Sequence, residues 1–288
     1  MVGLLFALIC LIWGSTWLVI KIGLVGVPPF LGAGLRFVLS AAIVGLPLLW
    51  RRAPIVLTRD DKICILSLGI LIFWLDYACV YWAELYISSG LTAVLFSTMP
   101  LMTALLSAYW TRSERLSARK IAGIVVGMAG TVLLFAPTER LGLMPALGML
   151  SALVASLCAA VNLVMMKKHG GRSDPFVLNF FGMGIGAACL LLMSVALEPW
   201  SDVAWSAANV SAIVYLSVFG SVIAFTAYYY LIKHMDATVC SLSTLIIPIV
   251  ALFLGWAFLD EPVTGMTVLG VATILAGIGA AIVPRPSR

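Results

Sequence analysis

The sequence predicts an all-α integral membrane protein: ten transmembrane helices, arranged as two inverted five-helix repeats around a central cavity, with both termini cytoplasmic. Three observations predict it. Hydrophobic residues fill 63% of the 288 positions and charged residues only 10%, against about 45–50% and about 25% in soluble chains. Ten apolar stretches come close to the roughly 20 residues that cross a bilayer as a helix. The second half of the chain also matches the first at a nearly constant spacing.

The stretches are 2 to 22, 29 to 50, 63 to 86, 88 to 111, 119 to 136, 146 to 167, 175 to 197, 208 to 231, 237 to 259 and 265 to 283. Their apolar runs are continuous, not alternating, which selects helices over a membrane barrel. The first lacks a basic leading region and is too long for a signal-peptide core, so it reads as a retained helix. The six cysteines, Cys10, Cys64, Cys79, Cys158, Cys189 and Cys240, lie inside predicted helices without metal-type spacing. They read as small apolar residues, and no metal site or cofactor is expected.

With a cytoplasmic N-terminus, 14 of the 17 basic residues fall on the inner side: Arg51, Arg52, Arg59, Lys62, Arg112, Arg115, Arg119, Lys120, Lys167, Lys168, Arg172, Lys233, Arg285 and Arg288. The outer loops hold Arg140 alone. The positive-inside rule then places both termini in the cytoplasm, and the basic pI is an orientation signal that implies no nucleic-acid partner. Trp50, Trp200 and Trp205 sit at predicted interfaces, where indoles anchor.

Pro29-Phe30 falls on Pro175-Phe176, Pro100 on Pro248, Glu114 on Glu261, Gly123 on Gly270, Gly130 on Gly277 and Pro137 on Pro284, at offsets of 146 to 148. Gly3, Leu5, Ala7 and Leu8 fall on Gly148, Leu150, Ala152 and Leu153. The repeats divide the chain into 1–140 and 141–288. Five spans is an odd number, so the second repeat enters the membrane from the opposite side; such inverted repeats underlie alternating access around a midplane site. Pro100 and Pro248 fall mid-span and are expected to kink spans 4 and 9. Gly123 and Gly127, with Ala272, Ala276 and Ala280, permit close helix approach, within a monomer or in a weak homodimer. Gly182, Gly184 and Gly186 resemble a dinucleotide fingerprint, but no strand precedes them.

The runs LIWGSTWLVIKIG, PPFLGAGLRF and SSGLTAVLFSTMPLMTALLSAYWTRSERLS, with the second-half echo LSTLIIPIVALFLGWAFLDEPVT, resemble the drug/metabolite transporter superfamily, and within it the ten-helix EamA-type exporters. The resemblance covers essentially the whole chain. It implies export of amino acids or related metabolites from a bacterial cytoplasm across the inner membrane, with spans 1, 3, 4, 6, 8 and 9 lining the cavity. The membrane carboxylate that four-helix multidrug relatives carry in their first span is absent here, so their proton exchange does not transfer by position.

Trp13 lies near the midplane with Trp17 one turn away on the same face. Tyr77, Tyr81 and Glu84 form a stripe on span 3 beside Asp76. By the repeat, Asn162 answers Trp17 and Tyr229 answers Tyr81. With Phe96, Met99 and Thr244 near the prolines, these residues make an aromatic, weakly polar lining suited to a small amphipathic solute; ordinary packing is the competing reading. Arg36, about 10 Å inside the outer edge, and Asp76, about 15 Å inside, are costly against lipid and must face the interior, a partner or water. Arg36 can pair with Asp76 or with Glu84. Desolvation opposes ionisation of Asp76 and a neighbouring guanidinium favours it, so Asp76 is either a proton carrier or half of a charged lock.

The competing functions are an exporter of drugs or other amphipathic solutes, a passive channel, and a membrane-embedded enzyme. The last has least support: His169 and His234 lie at span ends, no HExxH or GxSxG occurs, and the S-x-x-K spacing of Ser117 and Lys120 falls at the charged cytoplasmic start of span 5. No catalytic residue is assigned.

Overall fold

The computed structural model describes residues 2–50, 55–111, 118–135, 142–169, 174–234 and 243–282. Its regular elements, among the described residues, are all helical. They are α1 (Val2–Gly23), α2 (Pro29–Trp50), α3 (Arg59–Tyr86), α4 (Ser89–Trp110), α5 (Ala118–Phe135), α6 (Leu143–His169) and α7 (Pro175–Leu197). Then α8 joins Ala207–Tyr215, Leu216–Ile223 and Ala224–His234 end to end, followed by α9 (Ser243–Leu259) and α10 (Gly265–Ile282). Seven of them, α1 to α4 and α6 to α8, are long and apolar enough to cross a membrane; α5, α9 and α10 carry shorter apolar stretches.

Most helices begin and end within a few residues of the apolar stretches. The largest difference with a visible cause is at α3, which starts four residues early. Thr58 accepts from the Asp61 N–H while the Asp61 carboxylate accepts from the Thr58 N–H, a reciprocal cap that carries the helix beyond the apolar run. Residues 237–242 of predicted span 9 lie outside the described residues.

Two helices widen to π-helical winding in mid-course, α3 over Leu68–Asp76 and α8 over Leu216–Ile223. Each wide turn shifts the side-chain register and frees backbone groups, a geometry frequent at functional sites. The packing partners also form a closed pattern: α2 rests on α7, α5 on α10 and α4 on α9, while α3 contacts α6 and α7 as α8 contacts α1 and α2, and α4 contacts α6 as α9 contacts α1.

Glycines set the closest approaches. A Cβ on Gly277 would lie 2.4 Å from the Gly127 nitrogen and 2.6 Å from the Gly123 oxygen, so glycines bring α5 and α10 into backbone contact within one chain, while Ala272 and Ala276 of the expected alanine stripe are exposed. A Cβ on Gly186 would lie 2.3 Å from Phe73 Cβ and one on Gly182 3.1 Å from Leu68 Cβ. The glycines of α7 thus seat it on α3. One buried cluster centres on Phe37, Phe73, Met183 and Leu190, a second on Leu95, Leu101, Met149 and Ile274. Exposed apolar side chains such as Leu192, Val195 and Phe253 ring the bundle, as expected where the solvent is hydrocarbon.

Candidate functional site

The mid-course π-helical stretches of α3 and α8 flank the most unusual residue of the interior. Arg36 of α2 is 1% exposed. Its Nε donates to Ser221 Oγ of α8 at 3.1 Å and its Nη2 to Tyr77 Oη of α3 at 3.3 Å, while the guanidinium stands 4.6 Å from the Tyr77 ring centroid and 5.2 Å from that of Phe37. Planarity and weak hydration suit arginine to such a seat between rings. Room for it comes from Gly220, where a Cβ would lie 3.2 Å from Nη2 and 2.8 Å from Thr16 Cγ2. Nη1 has no partner among the described residues.

Around this cation the rings form a chain. Tyr77 meets Phe37 at 4.7 Å and Tyr81 at 6.4 Å, Phe37 meets Phe73 at 5.0 Å, Phe73 meets Phe225 at 5.8 Å, and Phe225 meets Trp13 at 5.7 Å. Trp13 also contacts Tyr228 at 5.1 Å, and its indole N–H reaches the Gly220 carbonyl of the widened α8 turn at 3.4 Å. The structure therefore brings Trp13, Arg36, Tyr77 and Tyr81 into one continuous cluster from α1, α2, α3 and α8. Asp76, 4% exposed, adjoins Tyr77 along α3, and its Oδ1 has no partner among the described residues. No ion pair joins Arg36 to Asp76 or to Glu84 among the described residues, and Arg36 is held by hydroxyls and rings instead.

Of the remaining predicted residues, Trp17 and Phe96 belong to the same buried cluster as Tyr77 and Tyr81, and the other described ones lie elsewhere. Trp17 packs on Phe96 at 5.4 Å. Asn162 is taken by Ser67, whose hydroxyl donates to its side-chain oxygen at 2.8 Å. Glu84 is fully buried near the end of α3, neither carboxylate oxygen partnered among the described residues, and Lys21 Nζ donates to the Glu84 and Ile87 carbonyls beside it. At Pro100 the α4 winding breaks over Ser97 and Thr98, and Met99 begins the next segment. The Phe96 carbonyl, which proline leaves without an N–H donor, accepts from Ser156 Oγ of α6 at 3.1 Å. Pro248 stands inside the helix α9. The side chains of Tyr229 and Thr244 lie outside the described residues, as do Ser117, Lys120 and Cys240.

Sequence reading missed Ser221 and Gly220, which complete the Arg36 seat, and Phe37, Phe73 and Phe225, which join the tyrosines to Trp13. At the offset of 148 that aligns Tyr81 with Tyr229, Ser221 answers Phe73, which no sequence feature marked either. A cavity of about 620 Å³ lies elsewhere, between α1, α8 and α9, walled by residues such as Leu11, Phe219 and Phe253 with the Ser15–Tyr215 hydroxyl pair among its lining. Among the described residues no group of three or more His, Cys, Asp and Glu side chains is placed to hold a metal.

The cluster assembles one buried cation, the adjoining carboxylate of Asp76 and a wall of rings. Comparison with known proteins agrees with a membrane role. The chain is 26% identical over 272 residues to the uncharacterized transporter YoaV of Bacillus subtilis, covering 94% of this chain and 92% of that one. It is 31% identical over 286 residues to the uncharacterized inner membrane transporter YedA of Escherichia coli, covering 96% and 88%. A solved crystal structure superimposes with TM-score 0.67 over 97% of this chain and 96% of that one at 24% identity, which shows a shared fold. The model of the EamA-like transporter family matches residues 1–136 and again 146–283. The chain is a multi-pass membrane transporter and belongs to the EamA-like transporter family.

Proposed function

We propose that this protein exports small organic metabolites, such as amino acids, by alternating access between two inverted five-helix halves, 1–140 and 141–288, that together span the membrane ten times. The observation that carries the reading is the buried Arg36, held by first-half Tyr77 and second-half Ser221. A charge seated at the junction of two halves is where a relative movement is felt. Three features support the inverted arrangement. The largest packing contacts map onto one another when α1–α5 are exchanged with α6–α10, while the contacts of α1 with α3 and α4 have no comparable counterpart among the described residues. The mid-course π-helical stretches of α3 and α8 start 148 residues apart, although the one that ends α4 at Ser107–Thr111 has no described counterpart in α9. The family matches twice along the chain.

Counterflow in proteoliposomes, with a panel of amino acids, nucleobases and cationic drugs, tests the substrate class. Saturable exchange is expected for at least one small zwitterionic or anionic metabolite; non-saturating flux would indicate a pore. Preference for cationic drugs would favour the second reading, an exporter of amphipathic solutes, for which the ring wall from Trp13 to Tyr81 speaks. In the same assay Trp13→Ala or Tyr81→Ala is expected to lower transport about tenfold, the scale of one lost aromatic or hydrogen-bonded contact, with insertion unchanged. Wild-type affinity and rate in both variants would remove them from the substrate path.

The proposed location is a bacterial inner membrane with both termini cytoplasmic, by the distribution of basic residues. Cysteines introduced at Thr58 and Ser113 are expected to label from the cytoplasm only, and those at Thr138 and Asp202 from outside only. The opposite pattern overturns the orientation.

A further inference from the structure

One face of the bundle gathers the 1–2, 7–8 and 9–10 connections, and there the two halves are tied together by side chains that the substrate cluster does not use. Glu198, just past α7, places Oε1 2.7 Å from the Phe30 nitrogen and Oε2 3.0 Å from the Leu31 nitrogen. Pro29 opens α2 and has no N–H, so these are the first free donors of that helix. Glu261, just past α9, accepts from the Ser89 nitrogen at 2.7 Å, Ser89 Oγ at 2.9 Å and the Gly90 nitrogen at 3.2 Å, while the Ser88 hydroxyl accepts from Leu91. The start of α4 is thereby satisfied mainly by a carboxylate from the other half.

The fit is built, not incidental. Glu261 folds across Gly255, where a Cβ would lie 2.2 Å from Oε2. Asp260 turns the chain there with φ of 51°, a left-handed conformation that costs free energy in a non-glycine residue. The same face carries a third tie. Asn209 Nδ2 donates to the Val25 and Ala204 carbonyls at 3.1 and 2.8 Å, and the Ala204 N–H to the Gly26 carbonyl at 2.8 Å. On the opposite face the described cross-half tie is His169 Nδ1 to Asp60 Oδ1 at 2.8 Å, with the Asp60 side chain 60% exposed and its contact weakened by water.

We propose that Glu198 and Glu261 are gating residues: a pair of carboxylate latches that hold the extracellular side closed by capping first-half helices from the second half. A carboxylate at a helix N-terminus gains from both the charge-assisted hydrogen bonds and the helix dipole. Opening toward that side must break four N–H···carboxylate bonds and expose two helix ends. Latch release is then a step separate from substrate recognition at Arg36.

The proposal rests on the reading of two moving halves, and accessibility tests it without requiring transport. Ser97, 5% exposed, lies two turns below Ser89 on the same face of α4, about 12 Å inside. Ser97→Cys in a background lacking the six native cysteines is treated from outside with a membrane-impermeant maleimide. Glu198→Gln with Glu261→Gln is expected to raise external labelling about tenfold, the scale of one lost charge-assisted bond, with labelling from the inside no faster. Glu261→Asp, which keeps the charge but loses reach, is expected to raise it in the same direction and serves if the double variant inserts poorly. Unchanged external labelling in inserted variants, or an equal rise from both faces, overturns the latch. A one-sided rise in a protein that shows no saturable exchange supports the latch and defeats the carrier reading instead.

Discussion

Asp76→Asn is expected to abolish pH-driven accumulation of substrate in proteoliposomes, down to the level of empty vesicles, while substrate exchange at equal pH continues. Exchange requires no net proton movement, so a proton-carrying carboxylate is needed for the first process and dispensable for the second. The geometry makes the variant a clean test. Asp76 has one carboxylate oxygen without a partner among the described residues, and Arg36 makes its contacts with Tyr77, Ser221 and Phe37, none of which the substitution touches. The folded protein is therefore expected to survive. Loss of both accumulation and exchange would instead assign Asp76 to a lock that organises the Arg36 seat through Tyr77, its neighbour in the chain. Normal pH-driven transport by a well-inserted variant would leave it as cavity lining.

Gly277→Val is expected to disrupt the α5–α10 pair, with a loss of stability of about 3 kcal/mol, the upper part of the range for overpacking. The position offers no soft neighbour. The atoms that a Cβ would meet belong to the Gly123 and Gly127 backbone, so relief requires moving a helix and not a side chain. A fall in the thermal midpoint of the detergent-solubilised protein, together with loss of transport, is the expected result. An unchanged midpoint would show that the two helices pack less closely than described. Gly184→Ala is the control, because nothing lies within 4 Å of a Cβ there.

The positions of the helices were legible because the bilayer imposes one rule, a continuous apolar run, that needs no knowledge of tertiary structure. The close approach of α5 and α10 was legible on one side only: Gly123 and Gly127 of α5 lie at the contact, but Gly277 meets them from α10 while Ala272 and Ala276 of the alanine stripe are exposed. The seat of Arg36 was legible only in part. Its depth marked it as a residue requiring a partner, and the charged residues Asp76 and Glu84 were the natural candidates. Its contacts are hydroxyls and rings, whose chemical types are too common in this chain to stand out, and they depend on the wide turn of α8 that brings Ser221 inward. Asn162 was assigned to the substrate lining from its repeat position, and its hydrogen bond to Ser67 joins α6 to α3, a cross-half contact that a linear comparison does not display. The carboxylate caps were invisible because their donors are backbone groups of another half, and backbone donors leave no mark in a sequence.

The two halves differ in volume where they most resemble each other in position. At the offset of 146 that aligns Pro29 with Pro175, Arg36 answers Gly182; at 148, Phe73 answers Ser221. Arg36 bonds Ser221, while a Cβ on Gly182 would lie 3.2 Å from the Phe73 ring, so a large residue faces a small one in both contacts with the roles exchanged. Across the proposed repeat these two contacts keep the pairing of large with small, and the charge has no counterpart. One consequence is electrical. In the proposed alternating access, exchanging the conformations of the halves would carry a cation through part of the bilayer with no matching cation returning, and a full crossing is worth about 2.3 kcal/mol per 100 mV. On that proposal the membrane potential would shift the balance between the inward and outward arrangements, in the direction set by the movement of Arg36.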